Sequence, residues 1–145
     1  MHSLPIGGLF GNHAIELAGI IARPDSQAKG IGTSLVKEFI DEYSPEALIA
    51  YTRNPALLRV LGNVGLVSDV IEYESPEQTA LLIPHATVGK DGILYHIGRY
   101  APHGLYGADD PADRIYRGVI LKQRCKELED KNSALAVRVE LGGNK

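Results

Sequence analysis

The chain has 145 residues, 44% of them hydrophobic and 23% charged, with a formal net charge of −3 and a single cysteine, Cys125. That balance suits one globular domain with a buried core, residues 1–145, and excludes an intrinsically disordered chain. It also argues against nucleic-acid or membrane partners, because Lys and Arg are scattered and no apolar run is long enough to span a bilayer.

The opening segment "MHSLPIGGLFGNH" lacks a cationic start followed by a long apolar stretch, so it makes a poor signal peptide. A lone cysteine excludes an intrachain disulfide and suits a reducing compartment, so a cytoplasmic location is expected. From His13 to Ala22 nearly every position is apolar, the pattern of a strand covered on both faces. Pro24 and Asp25 break it. A helix is expected from Ile31 to Tyr43, with Leu35, Val36, Phe39 and Ile40 at helical spacing, and Pro45 closes it. "ALIAY", residues 47–51, reads as a second buried strand, which makes strand, helix and strand one parallel crossover.

Asn54 can cap a further helix that starts at Pro55 and buries Ala56, Leu57, Val60 and Leu61. "GNVG" ends it. "LVSDVIEY" and "TALLIPHATV" then read as strands, and "GKDG" at 89–92 as a hairpin turn into "ILYHIGRY". Residues 101–111 form a loop. A last helix is expected from Pro111, because Leu121, Cys125, Leu128, Asn132 and Leu135 follow a short heptad spacing. That seam packs either within the domain or in a homodimer. The final "ALAVRVEL" alternates and can instead finish as a strand. The core motif thus occupies residues 13–70, with a hairpin, loop and helix in 71–145.

The junction "RPDSQAKGIGTSLV" has two readings. It is either a plain strand-to-helix turn or a phosphate cradle, in which Gly30 and Gly32 let an anion approach the backbone and Lys29 adds a cation. The Walker pattern is absent, and the dinucleotide fingerprint fails because Leu35 stands where its third glycine is needed. His85, His96 and His103 follow no metal-ligand spacing, so no metal is expected. The long loop at 96–113 is either an ordered surface excursion or part of a binding pocket, with Arg99, Tyr100 and Tyr106 facing a ligand.

Gln27-Ala28-Lys29-Gly30-Ile31-Gly32 after an apolar strand resembles the pyrophosphate loop of the GNAT N-acetyltransferase superfamily, Gln/Arg-x-x-Gly-x-Gly/Ala. The resemblance extends to Asn54 and to Gly65-Leu66, which stands at the family's separation from that Asn, with Leu replacing an aromatic. It covers residues 13–70. It implies a mixed α/β fold, a GNAT-like central sheet with a βαβ acyl-CoA-binding core, and acetyl-CoA as cofactor. By the same resemblance the pyrophosphate lies on the backbone of Ala28, Lys29, Gly30, Ile31, Gly32 and Thr33. The pantetheine arm runs along Ile20, Ile21 and Ala22, and Asn54 touches it.

The implied activity is direct acetyl transfer to a primary amine, on a small molecule or a peptide. Glu16 stands at the offset of the general base in the histone-acetyltransferase branch, and it is also the one carboxylate on the strand face of Ala14, Ala18 and Ile20. Leu61 occupies the position where many members carry the tyrosine acid. Tyr51, Tyr95, Tyr100 and Tyr106 remain alternatives that spacing does not separate. The elements the family carries ahead of the motif strand have no counterpart in the dozen residues before His13. The chain is accordingly expected to be a shortened member, a fragment, or one whose acceptor wall comes from another subunit. A non-catalytic acyl-CoA-binding or dimerisation module is the rival reading.

Overall fold

The computed structural model describes residues 14–17, 31–64, 70–104, 106 and 108–141. In chain order these form β1 (Ala14–Leu17), α1 (Ile31–Tyr43), β2 (Ala47–Thr52), α2 (Pro55–Val64), α3 (Pro76–Ala80), β3 (Thr87–Val88) and β4 (Leu94–His96). There follow β5 (Ile115–Tyr116), β6 (Val119–Ile120), α4 (Leu121–Arg124) and β7 (Ala134–Glu140), with 3-10 turns at Pro111–Asp113 and Lys126–Glu129. The class is mixed α+β. A mostly antiparallel five-stranded sheet has the order β1-β2-β7-β4-β3, and β5 and β6 form a separate two-stranded sheet.

The chain divides into two compact units. One comprises Met1–Ala50, Ala56–Val70 and Arg138–Lys145; the other comprises Tyr51–Pro55 and Ile71–Val137. Strands β2 and β7 each run through both.

In the first unit, β1 lies parallel to β2 with Ala14 opposite Ala47 and Leu17 opposite Ala50. A parallel pair needs a crossover, and α1 stands between the two strands in the chain. Its Val36 and Phe39 are buried as the helical spacing predicts, whereas Leu35 is 44% exposed. Helix α1 stops at Ser44, which takes a left-handed conformation (φ 47°) while its N–H donates to the Ile40 carbonyl at 2.7 Å. Every residue of β2 is buried, so its unbroken apolar run reports a strand covered on both faces. On α2, Pro55, Leu58 and Leu61 are buried, with Ala56, Leu57 and Val60 half-buried.

The second unit is organised around the β3–β4 hairpin expected at residues 89–92. Val88 pairs with Leu94 and Thr87 with Tyr95, while β4 continues antiparallel to β7 through Tyr95 and Leu135. The turn closes through Gly89 N–H to the Ile93 carbonyl, 2.8 Å. A side chain at Gly89 would meet the Tyr95 ring at 2.6 Å, which explains the glycine.

Three expectations fail here. Residues 70–73, the described part of the strand expected at 66–73, are turn and irregular chain, although Val70 and Ile71 are buried. The strand expected at 79–88 is reduced to Thr87–Val88. Pro76 at the first helical position with Glu77 behind it starts the short helix α3, and the left-handed His85 (φ 62°) interrupts the chain before β3. The long helix expected from Pro111 is absent as well. Arg117 and Gly118 both have positive φ (55° and 85°), and they turn β5 into β6 as a two-residue hairpin. Leu121, Cys125, Leu128 and Leu135 are all buried, but they sit on α4, the link after it, the following 3-10 turn and β7, so no continuous helical seam exists. The alternating end is a strand.

Candidate functional site

Of the residues assigned from the sequence, Glu16, Ile31, Gly32 and Thr33 lie in the described part of the crossover. Glu16 lies in β1 opposite Ile49, partly exposed between the buried Ile15 and Leu17. A strand alternates its side chains, which places Glu16 on the face of Ala14. Ile31, Gly32 and Thr33 form the first turn of α1, where backbone N–H groups have no intrahelical acceptor and the helix end is electropositive. Ile20, Ile21, Ala22, Gln27, Ala28, Lys29 and Gly30 lie outside the described residues. Asn54 directly precedes Pro55, the first residue of α2, and its N–H donates to the Thr52 hydroxyl at 3.0 Å. Leu61 is fully buried on α2.

Within the second unit the side chain of Arg53 is 1% exposed yet fully engaged. Its Nε and Nη2 grip the two Asp110 oxygens at 2.9 and 2.6 Å. The remaining donors reach the Asp130 and Ser133 carbonyls from Nη1, at 2.9 and 2.8 Å, and the Leu128 carbonyl from Nη2, at 2.7 Å. Burial by itself would raise the Asp110 carboxyl. Hydrogen bonds from Arg53, the Ala112 N–H and Lys122 outweigh that and hold it at about 2. This arrangement anchors the 110–133 segment to the end of β2. Arg53 has no place in the motif logic of the sequence; a charge between a buried strand and a helix start was its one visible signal.

A second cluster gathers around Tyr51. The hydroxyl of Tyr51 donates to the Pro84 carbonyl at 2.5 Å. The Arg99 guanidinium lies over its ring, 4.3 Å from the centroid. His96 meets the same ring edge-on at 5.2 Å and stacks on His85 at 5.1 Å, with 14° between the two imidazole planes. Arg99 Nη1 is 3.3 Å from His96 Nδ1. Arginine can only donate, so Nδ1 accepts and the ring proton of a neutral His96 sits on Nε2. His85 and His96 are thus members of an aromatic ladder, and the loop at 96–113 supplies Arg99 to it.

The tyrosines separate by environment. Tyr95 is fully buried with its hydroxyl donating to Asp91 at 2.5 Å, and burial followed by that hydrogen bond pushes its pKa far up, so it is a fixture of the hairpin. Tyr100 and Tyr106 are half-buried, and burial raises both. These hydroxyls therefore stay protonated at neutral pH. Among the described residues no group of three or more His, Cys, Asp or Glu side chains could hold a metal ion, and no helix is long and apolar enough to cross a membrane.

The fold and these side chains define a mixed α+β protein with a parallel crossover at one edge of its sheet. No family model matches the chain, and neither a curated protein nor a solved structure matches it significantly.

Proposed function

We propose that the protein is a GNAT-type N-acyltransferase that moves an acetyl group from acetyl-CoA to a primary amine. The observation that carries this reading is the parallel pairing of β1 with β2 around α1, whose first turn follows directly on Gln27-Ala28-Lys29-Gly30. A helix start with Lys29 and Gly30 before it and Gly32 in its first turn suits a pyrophosphate, because first-turn amides and the helix dipole both favour an anion. Residues 28–33 would hold that group, the backbone at 20–22 the pantetheine arm, and Asn54 would touch the arm. Acetyl-CoA supplies an acyl group activated as a thioester.

Glu16 takes the proton that the acceptor nitrogen loses as it becomes an amide. Glu16 is a carboxylate partly exposed between the buried Ile15 and Leu17, a group of the type that serves as a general base. The leaving thiolate needs a proton in return, and Leu61 cannot supply it.

One observation favours a second reading, a non-catalytic acyl-CoA-binding module. Leu61 is not only apolar but fully buried, so the position where family members carry an acid is core.

Calorimetric titration with acetyl-CoA tests both readings. Micromolar binding that Gly30→Glu abolishes and ATP does not compete away supports the cofactor site. Glu16→Gln then separates them: lost turnover with retained binding is the enzyme, and no turnover in either protein is the binding module. No binding by a folded sample overturns the proposal.

A further inference from the structure

The second unit holds a cavity of about 390 Å³ whose lining includes Glu72, Tyr73, Pro76, Asp91, Ile93 and Arg124. That volume lies within the range of small-molecule sites, about 300–1,000 Å³. The wall carries both signs of charge, and the two signs are held differently.

Arg124, at the end of α4, is 20% exposed and forms an ion pair with Glu72, which is 60% exposed. The guanidinium is thus part of the wall, while its carboxylate partner comes from irregular chain at the rim. Exposed ion pairs contribute little to stability, so displacing Glu72 costs little, and the fork of an arginine suits any carboxylate that replaces it. Asp91 is the opposite case. Its oxygens accept from Ile93 N–H at 3.1 Å, Tyr95 hydroxyl at 2.5 Å and Lys126 N–H at 3.2 Å, so its position is set before any ligand arrives. A negative group fixed in the wall disfavours a bare anion and suits a ligand that also carries a cation. Tyr73, Pro76 and Ile93 supply apolar surface alongside.

We propose that this cavity binds a free α-amino acid with an apolar side chain, its carboxylate replacing Glu72 on Arg124 and its ammonium facing Asp91. The inference does not depend on acyl transfer. Glu72 is then an internal competitor that occupies the ligand's seat in the empty protein.

The test is a calorimetric titration of the full chain with L-leucine and L-phenylalanine. Two controls are leucinamide, which lacks the carboxylate, and 4-methylpentanoate, which lacks the ammonium. At least one amino acid should bind, with both truncated leucine analogues at least tenfold weaker than leucine when leucine is the ligand. Arg124→Gln should abolish binding. Glu72→Gln should tighten it several-fold, because the competitor is gone. Binding of 4-methylpentanoate as tight as that of leucine would make this a plain carboxylate site and overturn the assignment. So would weaker binding by Glu72→Gln, or no binding of either amino acid by both folded wild type and Glu72→Gln.

Discussion

Arg53 and Asp110 stand 57 positions apart and form a two-point ion pair, with Nε–Oδ1 at 2.9 Å and Nη2–Oδ2 at 2.6 Å. Because three backbone carbonyls share the same guanidinium, its removal orphans several acceptors at once. Arg53→Met should therefore destabilise the protein by about 3–5 kcal/mol, the cost of breaking a buried pair from one side. Arg53→Lys should recover only part of this, since an ammonium cannot fork. Urea denaturation of the three proteins measures it.

The same pair sets a dependence on acid. Folded Asp110 titrates at about 2 against an ordinary 3.8, so its ionised form stabilises the fold fully above the unfolded value. That contribution fades as pH falls from about 4 to about 2. Wild type should lose stability across this window more steeply than Asp110→Asn. Parallel slopes for the two proteins would remove Asp110 from the account.

Gly89 is specified by space. A Cβ there would lie 2.6 Å from Tyr95 Cε2 and 2.7 Å from Asp91 Oδ1, and these two side chains are hydrogen-bonded to each other through the Tyr95 hydroxyl and Asp91 Oδ2. Gly89→Ala should cost about 1–3 kcal/mol as an overpacked site. By contrast, Lys90→Ala, at an exposed position of the same turn, should stay within about 0.5 kcal/mol. Thermal melts of both variants give the comparison.

Tyr51 joins a hydroxyl anchor to a ring contact, and two variants divide them. Tyr51→Phe removes the hydrogen bond to the Pro84 carbonyl and should cost about 1 kcal/mol. Tyr51→Leu also removes the ring beneath Arg99 and beside His96, adding about 0.5–1 kcal/mol or more. Equal losses for the two would mean that the ring contacts contribute nothing.

Tyr100 and Tyr106, both raised by burial, should remain protonated past the ordinary tyrosine range near 10. Ultraviolet titration of wild type against Tyr100→Phe and Tyr106→Phe checks this: each substitution should remove a late-titrating phenol rather than one at the ordinary value.

How much of this was legible in the sequence depends on how local each signal is. Helix α1 was readable because its 3.6-residue spacing, its glycine entry and its proline exit agree, and β2 because an unbroken apolar run suits a strand buried on both faces. The hairpin at 89–92 was readable from its Asp-Gly turn. The stretch 111–135 was not. Leu121, Cys125 and Leu128 have helical spacing, yet that spacing records burial, and buried residues on successive short elements can reproduce it. The Arg117-Gly118 turn was the local sign that one helix could not run through.

For the candidate sites the division is similar. The motif that suggests a phosphate cradle is a contiguous string, and Glu16 was proposed from its offset and its apolar neighbours. Arg53, the Tyr51–His96–His85 ladder and the cavity beside Arg124 had no such string. Each joins residues tens of positions apart, and nothing in local spacing encodes that proximity. By itself, then, the sequence determined helix α1, strand β2 and the turn at 89–92, because backbone sterics and side-chain periodicity act over a few residues. Which distant charges and rings meet was decided only by the tertiary structure, because burial brings them together and then requires that each polar group find a partner.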